Sequence, residues 1–383
     1  MSARRLRVAT VVTRLEGGAG VLALRGAAAL DPDEHEITVI TGSGDRLLAE
    51  AARAGLDTVV EPALRAPIAP GHDLLALHRL TGLFRRRGFD VVHTHCAKAG
   101  AVGRLAARRT GVGRIVHTYH GFPFHEFQST ARHRAYVGIE RRLGRITDLA
   151  LCVGGGVAVE AVRRGLVAPD RVRTIGIAVH HDVPRATGPA RARARRRLGL
   201  SDRDTVVGAV GRLTYQKAPE DFVAALRALH RPGVVGVWVG GGDLRERVRE
   251  LAARAGVRVE LTGDRHDVTD LLPAFDVFAL PSRYEGLPLA VAEAMACGVP
   301  VVATAVNAVA DAVVPGETGL LVPPRRPGLL AAAVAHLLDH PDLARGLAHA
   351  ARRRVEERFR IPVLAADLTA AYRHEPRPGG DRE

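Results

Sequence analysis

The sequence predicts an α/β protein built from two doubly wound, Rossmann-like parallel-sheet domains that face a deep interdomain cleft. The chain has 383 residues, too many for one ordinary hydrophobic core. Hydrophobic residues make up 47% of it and aromatic residues only 4%, so the cores are expected to be aliphatic. Strand-like and helical segments alternate in two successive series, as they do in parallel sheets covered on both faces.

The first series predicts an N-terminal domain over residues 1–183. Its apolar, β-branched runs predict strands at residues 7–12, 37–42, 58–60, 90–95, 114–120 and 148–154. Helices are predicted at residues 21–30, 45–54, 73–87, 100–110 and 129–145. Residues 184–197 combine prolines, a glycine and arginines with little periodicity, and we interpret them as a linker that enters a basic helix.

The second series predicts a C-terminal domain over residues 198–359. Strands are predicted at residues 205–211, 234–240, 257–263, 277–282, 299–304 and 319–324. Helices are predicted at residues 219–230, 244–255, 267–274 and 288–297. Ligands of open parallel sheets bind beyond the carboxyl ends of the strands, so the loops after the strands are expected to carry the chemistry.

The composition constrains partners and location. The net charge of +14 favours anionic partners such as nucleotide phosphates, an acidic membrane surface or nucleic acid. Three widely spaced cysteines, Cys96, Cys152 and Cys297, predict neither a disulfide framework nor a metal site and indicate a reducing compartment. Because no run of eighteen apolar residues occurs, a cytoplasmic protein with at most peripheral membrane contact is expected.

Residues 279–304 are the segment around which the second domain is organised. Pro288 suits the first position of a helix and Gly298 the position just after its end, which predicts a helix over residues 288–297. Glu293 lies among apolar residues of this helix and is expected to be buried. A buried carboxylate needs a hydrogen-bonding partner, such as the hydroxyls of a bound ligand.

A second carboxylate, Glu285, precedes this helix. It lies beside the N–H groups of Gly286 and Leu287, which are placed to bind a phosphate. Eight residues at the 1.5 Å rise of a helix would place the carboxylates about 12 Å apart, or less if the loop folds back. That is too far for the pair of a retaining glycosidase, which needs about 5 Å, but it fits a long ligand with a diphosphate in its middle. The alternative is that Glu285 is a loop charge and Glu293 is paired with an arginine.

Two cations and a run of glycines follow other strands of the second domain. Arg212 and Lys217 lie in GRLTYQK, after the first strand, where they are placed to neutralise a diphosphate and to stabilise it as it leaves. Gly241 is the middle glycine of GGG, after the second strand, and allows the backbone to approach a ligand closely.

In the first domain, glycines follow the first strand. Gly17 and Gly18 lie in TRLEGGAG, which lacks the GxGxxG spacing of dinucleotide-binding proteins. A dehydrogenase is therefore a poor interpretation, and close approach of the backbone to a phosphate is the expected use.

Histidines cluster near two strand ends of the same domain: His93, His95, His117, His120 and His125. No carboxylate or cysteine at ligand spacing completes a metal site, so no bound metal is expected. His120 is the histidine best placed to face the cleft. The arginine-rich helix at residues 129–145 either rests on anionic lipid or carries a solvated face, and the sequence leaves both open.

Taken in order, the motifs GGAG, HTH, KAG, HTYHGF, GRLTYQK, GGGD and PSRYEGLPLAVAEAMACGVPVVAT resemble those of family four retaining glycosyltransferases of the GT-B fold, including bacterial polysaccharide and cell-envelope enzymes. The resemblance implies a nucleotide-diphosphate sugar as donor, held mostly by the second domain, and neither metal nor cofactor. It also implies a crossover helix and tail in residues 360–383. Residues 154–156, a glycine-rich turn, and 306–311 depart from the family pattern and bear on acceptor or sugar specificity.

The resemblance assigns roles to matching residues: Glu293 to the ribose hydroxyls, Glu285 to the transferred sugar, Arg212 and Lys217 to the diphosphate, Gly17 and Gly18 to backbone donation, and His120 to the donor sugar. The expected reaction is transfer of a hexose, with retention, to a hydroxyl of a lipid-linked or cell-envelope acceptor. Alternatives are a nucleotide-sugar epimerase of the same fold and a non-catalytic basic module that binds nucleic acid or membrane. The chain lacks the aromatic interleaving of single-strand binders, so nucleic acid is not expected as a partner.

Overall fold

The computed structural model describes residues 4–122, 124, 128–179 and 182–373. The chain divides into two compact units. The first unit comprises the residues up to Ala178 together with the segment that begins at Ile361, and the second unit is Val179–Arg360. The last helix within the described residues, Ile361–Arg373, therefore belongs to the first unit.

The first unit contains a seven-stranded sheet of order β3-β2-β1-β4-β5-β6-β7, with every neighbouring pair parallel. Its strands are β1 (Leu6–Val12), β2 (His35–Thr41), β3 (Asp57–Val60), β4 (Val91–His95), β5 (Arg114–Tyr119), β6 (Leu149–Cys152) and β7 (Val172–Thr174). The strand order reverses between β1 and β4, so the carboxyl ends of these strands form the switch point where ligands of such sheets bind.

Helices cover this sheet. They are α1 (Gly17–Ala29), α2 (Arg46–Arg53), α3 (Pro70–Arg87), α4 (Ala97–Thr110), α5 (Thr130–Gly144), α6 (Gly155–Arg163) and, at the end of the chain, α15 (Ile361–Arg373). Every residue of β4 is buried. One aliphatic core joins the sheet to α3 and α4 and includes Val11, Ile40, Leu80 and Val92. The expectation of a strand buried on both faces is met.

The second unit contains a six-stranded parallel sheet of order β10-β9-β8-β11-β12-β13. Its strands are β8 (Thr205–Val210), β9 (Val234–Val239), β10 (Val259–Gly263), β11 (Val277–Leu280), β12 (Val301–Thr304) and β13 (Leu320–Val322). The order reverses between β8 and β11, which are the strands whose following loops carry the predicted site.

The helices of the second unit are α7 (Gly188–Arg197), α8 (Pro219–Leu229), α9 (Arg245–Ala255), α10 (Val268–Leu271), α11 (Leu289–Cys297), α12 (Val309–Ala312), α13 (Pro327–Asp339) and α14 (Pro341–Arg358). Trp238 is the only tryptophan of the chain and lies in the core between the sheet and the helices. The helices α13 and α14 were not predicted from the sequence patterns.

Two sequence predictions need correction. Residues 154–156 are not a simple turn, because Gly155 and Gly156 open α6 and β7 follows it. Only Gly154 has a positive φ, of 132°, and it separates β6 from that helix. The helix predicted from Pro288 begins at Leu289, because Pro288 has a ψ of 111° and serves as the N-cap.

Candidate active site

The second unit brings two charged loops together. The first loop, residues 211–218, follows β8, and the second loop, residues 281–288, follows β11. Since β8 and β11 are parallel neighbours at the switch point, their loops leave the same edge of the sheet side by side. These two loops carry five of the predicted site residues: Arg212, Lys217, Glu285, Gly286 and Leu287.

Lys217 and Glu285 form an ion pair across the loops. Lys217 Nζ lies 2.5 Å from Glu285 Oε1, and Ser282 Oγ donates to the same oxygen at 2.6 Å. Glu285 is only 6% exposed, so it is not the solvated loop charge of the alternative interpretation. A buried carboxylate is stable here because a cation and a hydroxyl both contact it.

Further hydrogen bonds position Glu285. The Gln216 amide donates to the Tyr284 carbonyl at 3.1 Å, and the Glu285 N–H donates to Asn307 Oδ1 at 3.2 Å. Asn307 lies in the segment that departs from the family pattern, with a φ of 44°, a left-handed conformation that asparagine tolerates better than most residues. Sequence reasoning missed Ser282, Gln216 and Asn307 as contacts of Glu285.

Arg212 differs from Lys217 although both were predicted to bind the diphosphate. It is exposed, and it forms no ion pair with any residue in the described part of the chain. Burial raises the pKa of the nearby Tyr284 hydroxyl, Glu285 acts in the same direction, and Arg212 opposes them. One cation of the predicted pair is therefore held by a carboxylate, and the other is open to a ligand.

The second loop leads into α11. Glu293 is 7% exposed on this helix, which confirms the prediction that it is buried. Gly298 ends the helix with a φ of 82°, the left-handed conformation expected there. The N–H groups of Gly286 and Leu287 make no hydrogen bond to the described residues, so they are open to an acceptor such as a phosphate oxygen.

The glycines after β9 have a packing role. A Cβ atom at Gly240 would lie 2.3 Å from the Gly211 carbonyl oxygen, and one at Gly241 would lie 2.6 Å from the Asp264 carboxylate. The Gly241 N–H already donates to Asp264 Oδ1 at 2.9 Å. These glycines therefore allow the backbone to lie close to the first loop and to Asp264. Ligand binding by Gly241 stays a prediction.

Two glycines of the first unit are open. Gly17 and Gly18 begin α1, and a Cβ atom at either would meet nothing within 4 Å. Gly17 has a φ of 60°, which favours glycine. Neither N–H makes a hydrogen bond within the ranges that the structure describes, so both can donate to a ligand.

Four histidines of the first unit cluster at the ends of β4 and β5: His93, His95 and His117, which are buried, and His120, which is partly buried. His95 Nδ1 lies 2.9 Å from His120 Nε2. His93 is hydrogen-bonded to Thr118 and, through Nδ1, to the hydroxyl of Tyr372 on α15, both at 2.7 Å. His125 lies outside the described residues. In the remainder of the cluster, side-chain partners hold the rings in place.

These imidazoles are neutral at physiological pH. Burial lowers the pKa of His93 to about 3 and that of His120 to about 4. Burial also places the pKa values of His95 and His117 well below the ordinary value. Across the described ranges, no three His, Cys, Asp or Glu side chains are grouped so that they could hold a metal ion.

The helix α5 has one buried and one basic face. Glu140 is buried and pairs with the buried Arg104 at 2.8 Å. Arg134, Arg142 and Arg145 are exposed, share the opposite face by helical periodicity, and form no ion pair with a described residue. No helix in the described ranges is both long and apolar enough to cross a bilayer.

The chain contains only two lysines, Lys98 and Lys217, among many arginines. Each is ion-paired in the loop or first helical turn after a switch-point strand: Lys217 with Glu285, and Lys98 with Asp73 at 2.6 Å. The rarity of lysine was a signal in the sequence that pointed to these two positions.

Two family models match this chain, each largely within one of its two units. Residues 16–183 match the family described as Glycosyltransferase Family 4, and residues 204–340 match the family described as Glycosyl transferases group 1. A relative from Escherichia coli, UDP-Gal:alpha-D-GlcNAc-diphosphoundecaprenol alpha-1,3-galactosyltransferase, is 32% identical over 64% of this chain and 65% of its own length. A D-inositol 3-phosphate glycosyltransferase from Acidothermus cellulolyticus is 31% identical over 88% of this chain and 82% of its own.

Solved structures agree on the fold. Anabaena HepE in complex with UDP and glucose has a TM-score of 0.85 at 20% identity, over 97% of this chain and 100% of that chain. Sucrose-phosphate synthase from Thermosynechococcus elongatus has a TM-score of 0.83 at 24% identity, over 97% of this chain and 99% of its own. Two Rossmann-like units with these strand orders therefore have the GT-B fold. The chain belongs to glycosyltransferase family 4, and the predicted fold and family are confirmed.

Proposed function

We propose that this glycosyltransferase moves a hexose, with retained configuration, from a nucleotide-diphosphate sugar to a hydroxyl of a lipid-linked or cell-envelope acceptor. The observation that carries the proposal is the ion pair between Lys217 and the buried Glu285, which lies on loops at the switch point of the second unit. The exposed Arg212 lies on the first of these loops.

The charges suit departure of a diphosphate. As the bond from the sugar to the diphosphate breaks, negative charge grows on the phosphate oxygens, and Arg212 and Lys217 stabilise it. The N–H groups of Gly286 and Leu287 add donors. The acceptor hydroxyl attacks from the side that the diphosphate leaves, and its proton passes to a departing phosphate oxygen. No step requires a metal ion or another cofactor.

The carboxylates suit the two ends of the donor. Glu285 is held by Lys217 and Ser282 through one oxygen, Oε1, while the contact of its other oxygen with Gln216 is long, at 3.4 Å. That second oxygen is the one we assign to a hydroxyl of the transferred sugar. Glu293, buried on α11, accepts from the ribose hydroxyls.

The first unit contributes groups of a different kind. Gly17 and Gly18 offer backbone N–H groups to the donor phosphate. His120 is a neutral imidazole, so it serves as a hydrogen-bonding group to the donor sugar and not as a cation.

The name of one relative supports the proposed classes of donor and acceptor. The name of the Escherichia coli enzyme specifies a UDP-sugar donor and a sugar linked to a lipid diphosphate as acceptor, and we propose the same two classes here. The exposed arginines of α5 suit the anionic headgroups around such an acceptor, so we also propose peripheral contact with the cytoplasmic face of the membrane. Nucleic acid is not a proposed partner.

Thermal shift with a panel of nucleotide sugars tests the donor first. One nucleotide sugar should raise the melting temperature more than its bare sugar does, because the diphosphate supplies much of the binding. Product analysis with lipid-linked sugar acceptors should then show a new α-linked glycoside when the donor is α-linked. A nucleotide sugar epimerised without acceptor, or an inverted product, would contradict the proposal.

A further inference from the structure

Arg283 lies on the second loop, two residues before Glu285, and is nearly buried. Its side chain is 10% exposed, low for an arginine. The guanidinium lies 4.2 Å from the centre of the Tyr215 ring, over its face, and donates to the Tyr215 carbonyl at 2.6 Å. The Arg283 backbone N–H donates to the Gln216 carbonyl at 2.8 Å. One residue of the second loop thus contacts two consecutive residues of the first.

Acidic residues on α8 balance the charge of Arg283. Glu220 lies 3.6 Å and Asp221 3.7 Å from its guanidinium. Burial raises the pKa of Asp221, and the charge of Arg283 is the largest influence in the opposite direction. The Arg283 guanidinium therefore stabilises both partly buried carboxylates at the start of α8, directly behind the first loop.

These contacts act on Lys217. Tyr215 and Gln216 directly precede it, so the two carbonyls that Arg283 binds fix the backbone from which the Lys217 side chain extends. Lysine has four rotatable side-chain bonds and no planar group, so its position depends strongly on its backbone anchor. Arg283 itself is held on the same loop as Glu285. Arg283 therefore links the loop that carries Lys217 to the loop that carries Glu285.

We propose that Arg283 is a positioning residue that holds Lys217 against Glu285 without touching the donor. The consequence for turnover rests on the proposed function, in which Lys217 stabilises the leaving diphosphate. Glu293, the proposed ribose-binding group, lies on α11 and not on either loop, so its position does not depend on these contacts. Loss of Arg283 therefore reduces kcat much more than nucleotide affinity.

The kinetic test compares Arg283→Met with Arg247→Met. Arg247 also lies near Glu220, at 3.7 Å, but its side chain is 67% exposed and it contacts neither loop. In Arg283→Met, kcat should fall by between about tenfold and about a hundredfold, the cost of a small misplacement of a catalytic group. KM for the donor and the calorimetric Kd for the nucleoside diphosphate should change by less than about threefold, since they depend on other contacts. Arg247→Met should match the wild type.

A second measurement, the rate of chemical labelling of Lys217, does not depend on catalytic activity. Because Lys98 and Lys217 are the only lysines, acetic anhydride labelling followed by peptide mass spectrometry reports Lys217 directly, with Lys98 as internal reference. An ion-paired ammonium reacts slowly, so Arg283→Met should speed labelling of Lys217 several-fold relative to Lys98, and Arg247→Met should not. If Arg283→Met fails to fold, Arg283→Lys, which keeps the charge but loses the planar donors, should show the same changes at smaller size.

The two measurements separate two kinds of failure. If the wild type turns over no nucleotide sugar while Lys217 labelling still responds to Arg283→Met, the proposed function fails and the positioning role stands. Unchanged labelling of Lys217 would overturn the positioning role, and so would equal losses in kcat and in nucleotide affinity, which indicate general damage to the unit.

Discussion

The two units differ in the side chains that cluster at the carboxyl ends of their central strands, although each unit has a lysine ion pair there. In the second unit, the loops after β8 and β11 carry full charges, with Lys217 and Glu285 paired at 2.5 Å. In the first unit, β4 and β5 end in imidazoles that burial keeps neutral, with His95 and His120 at 2.9 Å. The folds of the two sheets are alike, so the difference lies in the side chains and loops.

The difference matches two tasks of sugar transfer. A leaving diphosphate gains negative charge, and fixed cations stabilise it more than the ground state. A sugar has only neutral hydroxyls, and a neutral imidazole can hydrogen-bond to them without placing a second cation nearby. We therefore expect substitutions in the second unit to change turnover and nucleotide binding most, and substitutions in the first unit to have smaller effects.

The largest effect is expected for Lys217→Ala. Removing the cation should lower kcat by about a hundredfold to a thousandfold, as for loss of one preorganised donor to a transition-state charge. Steady-state kinetics with the identified donor measures it. Arg254→Ala, which removes an arginine that is 77% exposed on α9, is the matched control. A loss below about threefold for Lys217→Ala would remove Lys217 from the mechanism.

Glu293→Ala should weaken nucleotide binding by about tenfold or more, because hydrogen bonds to a charged group contribute about 1.5–3 kcal/mol. Calorimetry with the nucleoside diphosphate measures it, and Glu293→Gln should lose less because an amide oxygen still accepts. The melting temperature of each variant checks that the buried helix is intact. Normal nucleotide affinity in Glu293→Ala would show that the ribose assignment is wrong.

Much of this site was predictable because its signals are local. The burial of Glu293 follows from its apolar neighbours on one short helix, and the placement of Arg212, Lys217 and Glu285 follows from loops after strands. The pairing was not predictable, since two cations near a diphosphate site look alike in sequence. Only the folded loops show that Lys217 reaches Glu285 while Arg212 stays exposed.

Contacts between residues far apart in the chain also could not be predicted from the sequence. His93 is hydrogen-bonded to Tyr372, which lies 279 residues away in the sequence. No sequence pattern predicts a contact between residues so far apart. The role of Arg283 depends on a neighbouring loop, on Tyr215 and on acids of α8. The helix α6 was missed for a different reason, because consecutive glycines favour a turn by propensity, and here the packed sheet overrides it.

His120→Ala should have a smaller effect than either substitution in the second unit. A lost hydrogen bond between neutral groups corresponds to roughly tenfold in kcat/KM at most. Because the pKa of His120 is about 4, kcat of the wild type should show no histidine inflection between pH 6 and 8. A pH–rate profile measures this. An inflection near neutral pH that His120→Ala abolishes would show that the imidazole ionises during turnover.

Acid should destabilise the two units to different extents. Histidines of the first unit have lowered pKa values when folded, whereas in the unfolded chain they bind protons below about pH 6.5. The unfolded state then holds more protons, so the free energy of unfolding decreases as the pH falls from about 6.5 to 5, by up to about 1.4 kcal/mol per pH unit for each histidine. Circular dichroism reports both units, while fluorescence of Trp238 reports the second unit alone.

In an acid titration over this range, loss of ellipticity should therefore precede the change in Trp238 fluorescence. His93→Gln removes one buried imidazole, and proton uptake on unfolding of the first unit should fall by about one between pH 6.5 and 5. The exposed His349 of α14 provides the control variant, His349→Gln, which leaves the first unit unchanged. Coincident transitions of the two probes, or equal proton uptake in wild type and His93→Gln, would contradict the neutrality of the buried histidines in the first unit.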